Sequence, residues 1–248
     1  MAQKIKQEIT GYIKDMFTHD NFSKRLIMNL ISCFVIPVGI STLYLSGFGV
    51  DPFTSLMVNC SETFAIEYAI LQLLVYSVIL TFVILIAKRG LVGVGTLTNA
   101  VITGFVFDFC NELYTHIPTA TTEFLIFKIS CLVVGLIILS FGCSLFFTAG
   151  LGVGAYDTIG FMIVRKFKLH YKFSRMITDF CSVILGLAVA GALGAILTGN
   201  FSYIPNVGVG TIITAFFMGP LITFFNDKVS AKILAYDYCS NKSKQITA

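Results

Sequence analysis

The chain has 248 residues, and Lys, Arg, Asp and Glu make up 12% of them, about half the share of a soluble domain, which excludes a water-soluble globule. Hydrophobic residues reach 56% and mean hydropathy is +0.86, so there is more apolar surface than a ball of this size can hide, and lipid is the expected solvent. The net charge of +4 lies in loops and tails, which argues against nucleic acid, and the seven cysteines form no CxxC or CxxxC pair, which argues against a metal cage or disulfide framework.

In chain order, residues 1–25 read as a cytoplasmic amphipathic segment. Ile5, Ile9, Tyr12, Ile13, Met16 and Phe17 recur at helical spacing among Lys4, Lys6 and Lys14, which fits an interfacial helix or an ordinary leader helix. Six apolar stretches follow that are long enough to span a bilayer: 26–46, 68–87, 91–111, 124–149, 174–198 and 207–226. Two shorter pieces, 51–62 and 154–165, hold ten residues each between their polar ends, and Asp157 interrupts the second. Ten residues rise roughly 15 Å, half of a hydrocarbon core of about 30 Å. Both pieces are therefore expected as re-entrant half-helices.

With a cytoplasmic amino terminus this count places 16 of 17 basic residues on one side, Lys128 excepted; eight full crossings place 15. The expected class is an all-α polytopic membrane protein of about six transmembrane helices plus two re-entrant half-helices, multi-pass in the cell membrane with both termini cytoplasmic. Its units are a membrane repeat over 26–112, an external loop over 113–123, a second repeat over 124–227 and a cytoplasmic tail over 228–248.

Two paired blocks define the repeats. Residues 39–50 match 142–153 with five identities, and 93–104 match 208–219 with six, in the same order. Three spans per half is an odd number, so the second half enters from the opposite face, giving an inverted-topology repeat of the kind that builds secondary transporters.

The candidate substrate-binding residues sit at these blocks. Asp51, Thr54 and Ser55 follow the first glycine turn, and Asp157 and Thr158 follow the second; Pro52 suits a first helical turn. Capping of the short helices is one role for the two aspartates, and a cavity-facing carboxylate that binds a cation or carries a proton, Asp157 foremost, is the other. GVGT at 93–96 and 208–211 opens the last span of each half. Its glycines allow close helix contact, and its freed N–H groups with Thr96, Asn99, Thr211 and Thr214 also offer a polar lining for an anionic or carbonyl group. Asp179, four residues after Arg175, reads as half of an i,i+4 ion pair, with Gln72 at the comparable place in the first half; Asp108 reads as an interface residue.

The GxG turn with Gly49, Asp51, Pro52, Phe53 and Thr54, and the GxGTxxNAxxxG helix start from Gly93 to Gly104, resemble the YitT/YczE-type family of bacterial integral membrane proteins. The resemblance covers roughly 25–227. Thr54 stands where that family's first half often carries Asp, and Asp157 supplies the residue in the second half. It implies the fold and a transport role more than a substrate. HExxH, GxSxG, CxxC and Walker patterns are all missing, and His19, His116 and His170 fall in terminal or loop regions, so no enzyme, cofactor or metal is expected. The expected function is secondary transport of a small solute by alternating access, with or without a coupling ion, the bilayer being the other partner. A binding or assembly subunit that works with a partner protein, or a passive channel, is the alternative.

Overall fold

The computed structural model describes residues 22–87, 92–118, 123–167, 171–189 and 206–234. The expected amphipathic helix near the amino terminus, most of the carboxy-terminal tail, Lys88, Arg89 and the stretch 190–198 lie outside these residues.

The described residues fold into eight α-helices: α1 (Phe22–Ser46), α2 (Pro52–Phe64), α3 (Tyr68–Ala87), α4 (Val94–Thr115), α5 (Leu125–Ala149), α6 (Ala155–Phe167), α7 (Tyr171–Leu187) and α8 (Val209–Phe225). Four helical segments are long and apolar enough to cross a membrane: Phe22–Ser46, Tyr68–Leu85, Leu125–Ala149 and Val209–Leu234. Their outer faces are apolar and bare, as with Val78 and Leu85 on α3 at 71% and 75% exposure, a surface suited to lipid and not to water. α4 has 22 residues, but Thr96, Asn99, Thr103, Asp108 and Glu112 dilute its apolar character.

α2 and α6 have 13 residues each, about 20 Å of helix. α2 starts where Asp51 accepts the Thr54 N–H at 3.1 Å, with Pro52 in the first turn, and stops where Ala65 turns left-handed at φ 51°. Asp108 is more than an interface residue: its Oδ2 accepts the Ala69 N–H at 2.8 Å and so caps the start of α3 from α4.

α1 and α5 form the centre. A Cβ on Gly39 would fall 2.5 Å from the Leu139 nitrogen, one on Gly135 2.8 Å from the Leu43 nitrogen, and one on Gly142 3.0 Å from the Ile36 nitrogen. Rising numbers on one helix meet falling numbers on the other, so the pair is antiparallel and the backbones touch where only glycine fits. Arg25 Nη1 donates to the Ala149 carbonyl at 2.9 Å, tying the start of α1 to the end of α5. Ile36, Leu43, Val50, Leu132, Leu136, Leu139 and Phe146 fill the crossing. Around it, α4 lies on α1 and α8 on α5, while α2 packs against α7 and α6 against α3. Each short helix thus packs against a helix from the other half.

Candidate functional site

Two joints of similar construction hold the halves together. In the first glycine turn the Phe48 carbonyl accepts the N–H of Gly210 at 2.7 Å, and in the second the Leu151 carbonyl accepts the N–H of Gly95 at 2.8 Å. Gly49 and Gly152 take φ values of +101° and +124°, which L side chains rarely adopt. A Cβ on Gly49 would strike Thr211 Oγ1, and one on Gly152 would strike Thr96 Oγ1. The two threonines turn inward on their own helix starts as well, accepting the N–H of Gly208 at 3.2 Å and of Gly93 at 3.1 Å. Thr96 Oγ1 then donates to the Val153 carbonyl at 2.7 Å. Each GVGT helix start therefore gives one N–H, that of Gly95 or Gly210, to the glycine turn of the opposite half, and the N–H of Gly93 or Gly208 to its own threonine.

Beside these joints the second half carries a charged cluster. Arg175 Nη1 is hydrogen-bonded to Asp157 Oδ1, and Arg175 Nε lies 3.2 Å from Asp179 Oδ1. The guanidinium carbon sits 4.7 Å from the centre of the Tyr156 ring, in cation–π range. The Tyr156 hydroxyl donates to Asp179 Oδ1 at 2.7 Å and receives Ser182 Oγ at 3.4 Å. From the first half, Phe53 stacks on Tyr156 at 4.3 Å and on Tyr76 at 5.8 Å. Asp51 lies within electrostatic range of Arg175 and Asp179; its Oδ2 caps α2, while its buried Oδ1 has no hydrogen-bond partner. A groove of about 590 Å³ between α7 and α8 reaches Asp179, Pro52 and Thr211.

The sequence-derived candidates divide accordingly. Asp157 pairs with Arg175 in the cluster, whereas Asp51 caps α2 and lies within electrostatic range of Arg175 and Asp179. Thr54 is buried and faces Tyr68, the position that corresponds to Asp157 facing Arg175 in the other half. Ser55 Oγ donates to the Asn206 carbonyl at 2.7 Å, Thr158 Oγ1 to the Ala155 carbonyl at 2.5 Å and Thr214 Oγ1 to the Thr211 carbonyl at 2.9 Å. Thr96 and Thr211 belong to the joints, and Asn99 is buried beside Cys33. The expected Arg175–Asp179 pair is present, but its larger role was not visible. Arg175 serves Asp157 too, and Tyr156, Phe53 and Tyr76 complete its surroundings. An arginine one turn into an apolar helix was the signal available, and it was absorbed by the nearer partner four residues on. Gln72, at the place comparable to Asp179, donates to Thr103 Oγ1 at 2.7 Å within the first half.

Apolar helices of spanning length, interrupted by two short helices that meet where Phe53 stacks on Tyr156 beside a partly buried charged cluster, define an all-helical membrane protein. The chain belongs to the Family of unknown function (DUF6198), whose model matches residues 23–227. It is 23% identical over 203 residues to the uncharacterized membrane protein YczE of Bacillus subtilis, covering 82% of this chain and 85% of that one. An uncharacterized protein of Haemophilus influenzae is 25% identical over 207 residues, covering 82% and 83%, and YyaS of B. subtilis, also uncharacterized, is 22% identical over 205 residues, covering 83% and 94%. No solved structure matches the chain.

Proposed function

We propose that the protein is a secondary transporter of a small solute, working by alternating access around the point where α2 and α6 meet, and that it is not an enzyme. The observation that carries this reading is the largely buried charged cluster of Asp157, Arg175 and Asp179 on α6 and α7, with buried Asp51 at the start of α2 within electrostatic range. Ionisable groups at membrane depth are costly and belong by default to solute or ion pathways. The antiparallel α1–α5 pair and the two reciprocal glycine joints support an inverted-topology repeat, with six spans, two re-entrant half-helices and both termini in the cytoplasm. In that arrangement either half can rock against the other about the α1–α5 crossing, exposing the cluster to one side at a time.

The test is uptake by proteoliposomes under an imposed ion gradient. Accumulation of a solute against its gradient, lost in Asp157→Asn with the folded protein intact, supports transport. No uptake across a broad solute panel, together with stable co-purification of another subunit, refutes it in favour of an assembly role.

A further inference from the structure

The two glycine joints are built alike, but the one at the start of α8 carries a further set of hydrogen bonds. Asn206 lies just ahead of Gly208, where α8 begins. Its N–H donates to Asn59 Oδ1 at 3.0 Å, and its carbonyl accepts Ser55 Oγ at 2.7 Å. Its side-chain Nδ2 reaches Asn59 Oδ1 and Glu62 Oε2, each at 3.2 Å. Asn59 Nδ2 extends to the Gly186 carbonyl of α7 at 3.5 Å, and the Tyr44 hydroxyl of α1 donates to Glu62 Oε1 at 3.1 Å. Ser55, Asn59 and Glu62 follow one another at helical spacing on one face of α2, and that face grips the residue that leads into α8.

The corresponding positions of the other half are different. At the spacing that relates 39–50 to 142–153, Tyr44, Ser55, Asn59 and Glu62 correspond to Phe147, Thr158, Met162 and Arg165; at the spacing that relates 208–219 to 93–104, Asn206 corresponds to Leu91. Phe147, Met162 and Leu91 carry no side-chain oxygen or nitrogen, and the Thr158 hydroxyl donates within its own helix, to the Ala155 carbonyl at 2.5 Å. The set is therefore peculiar to one half and is not a requirement of the duplicated fold.

Burial gives these bonds a switching character. Ser55 and Asn59 are fully buried, and a buried polar group left without a partner is costly. They can release Asn206 only as water arrives to replace it, which requires α2 and the start of α8 to part. The bonds form as that face closes and break as it opens, whereas Leu91 and Met162 have no such side-chain bonds to exchange.

We propose that Asn206 is a one-sided latch: held by Ser55, Asn59 and Glu62, it shuts the face on which α2 ends, and its release is the step that opens that face. The proposal rests on the alternating-access reading and adds an asymmetry to it. A perfectly symmetric inverted repeat would close both faces alike; the latch favours closure on one and thereby biases the population of the two states.

The experiment labels a reporter cysteine in the full-length protein with a membrane-impermeant maleimide, in right-side-out and inside-out vesicles. The reporter is Ser182→Cys, a buried position on α7 beside Tyr156. The same variants without the reporter give the background of the seven native cysteines, and a cysteine at Ile66 marks the face on which α2 ends. Ser55→Ala removes one bond of the latch, so labelling of the reporter from the Ile66 face should rise about fivefold, with no rise from the other face. Asn59→Leu removes the acceptor of both Asn206 donors and should raise it further; Ser55→Ala, a loss of one oxygen atom, decides alone if Asn59→Leu folds poorly. Thr158→Ala takes the matching hydroxyl from the other half and should not reproduce the effect. An equal rise from both faces, as general loosening would give, no rise in Ser55→Ala, or the same rise in Thr158→Ala overturns the latch. Uptake by proteoliposomes separates the two readings. Solute uptake with unchanged labelling refutes the latch and leaves transport standing, whereas one-sided labelling without uptake across the solute panel refutes transport and leaves the latch as a switch of one face.

Discussion

Arg175 is the hub of the charged cluster, and a double-mutant cycle with Asp157 measures how far it holds the structure together. Arg175→Gln removes the cation that Asp157 and Asp179 share and leaves both carboxylates without it. Breaking a buried pair costs about 3–5 kcal/mol. Because the side chains of Arg175, Asp157 and Asp179 are 22%, 15% and 10% exposed, water relieves part of that, and a loss of about 3 kcal/mol is expected. Asp157→Asn is milder. Arg175 keeps Asp179 at 3.2 Å and the asparagine can still accept a hydrogen bond, so a loss of about 1–2 kcal/mol is expected. The double variant also removes the Asp157 charge that faced the lost cation and should be more stable than the sum of the single effects by at least about 1 kcal/mol. The assay is equilibrium unfolding in mixed micelles. Additivity within about 0.5 kcal/mol, or an Asp157→Asn loss as large as that of Arg175→Gln, would refute the shared-cation account.

Gly39→Val should cost about 1–3 kcal/mol by forcing α1 from α5, whereas Gly219→Ala, with open space where the methyl group goes, should leave thermal unfolding unchanged; equal effects would contradict the close crossing. Asp108→Ala should cost about 1 kcal/mol and speed hydrogen exchange at the first turn of α3, while Asp108→Asn retains most of the cap; exchange confined to α4 would place its role elsewhere. Single cysteines at Ile66 and His170 should react with membrane-impermeant reagents from opposite faces. Reaction of both from the same face sinks the inverted repeat.

The sequence shows the elements more readily than their meeting points. Stretches 68–87 and 124–149 are legible because uninterrupted apolar runs leave a helix no alternative, and α3 and α5 occupy almost the same bounds. The short helices are legible from Asp51 with Pro52 and from Asp157, since polar groups end an apolar run at a fixed length. The glycine identities at 39–50 and 142–153 announce a duplication. They do not reveal that each turn closes the opposite half's helix start, because a glycine reads the same whether it faces its own helix or another. Thr96 and Thr211 look like solute ligands in one dimension; in three, their hydroxyls are engaged in the joints. Arg175 pairs with Asp157 across 18 positions, a distance at which local periodicity carries no information, while its i,i+4 partner is obvious.

The reciprocal joints also dictate an order of events as the chain is made. Gly95 is synthesised well before Leu151, whose carbonyl is the acceptor for its N–H, and Phe48 waits still longer for Gly210. An unsatisfied amide in hydrocarbon is penalised by several kcal/mol, so the early half has no finished resting state of its own. It must remain near water, the insertion machinery or a chaperone until the later half arrives. Two separately expressed halves should accordingly be degraded alone and recovered together. In this chain the unit of folding is the whole molecule, although the unit of sequence is half of it.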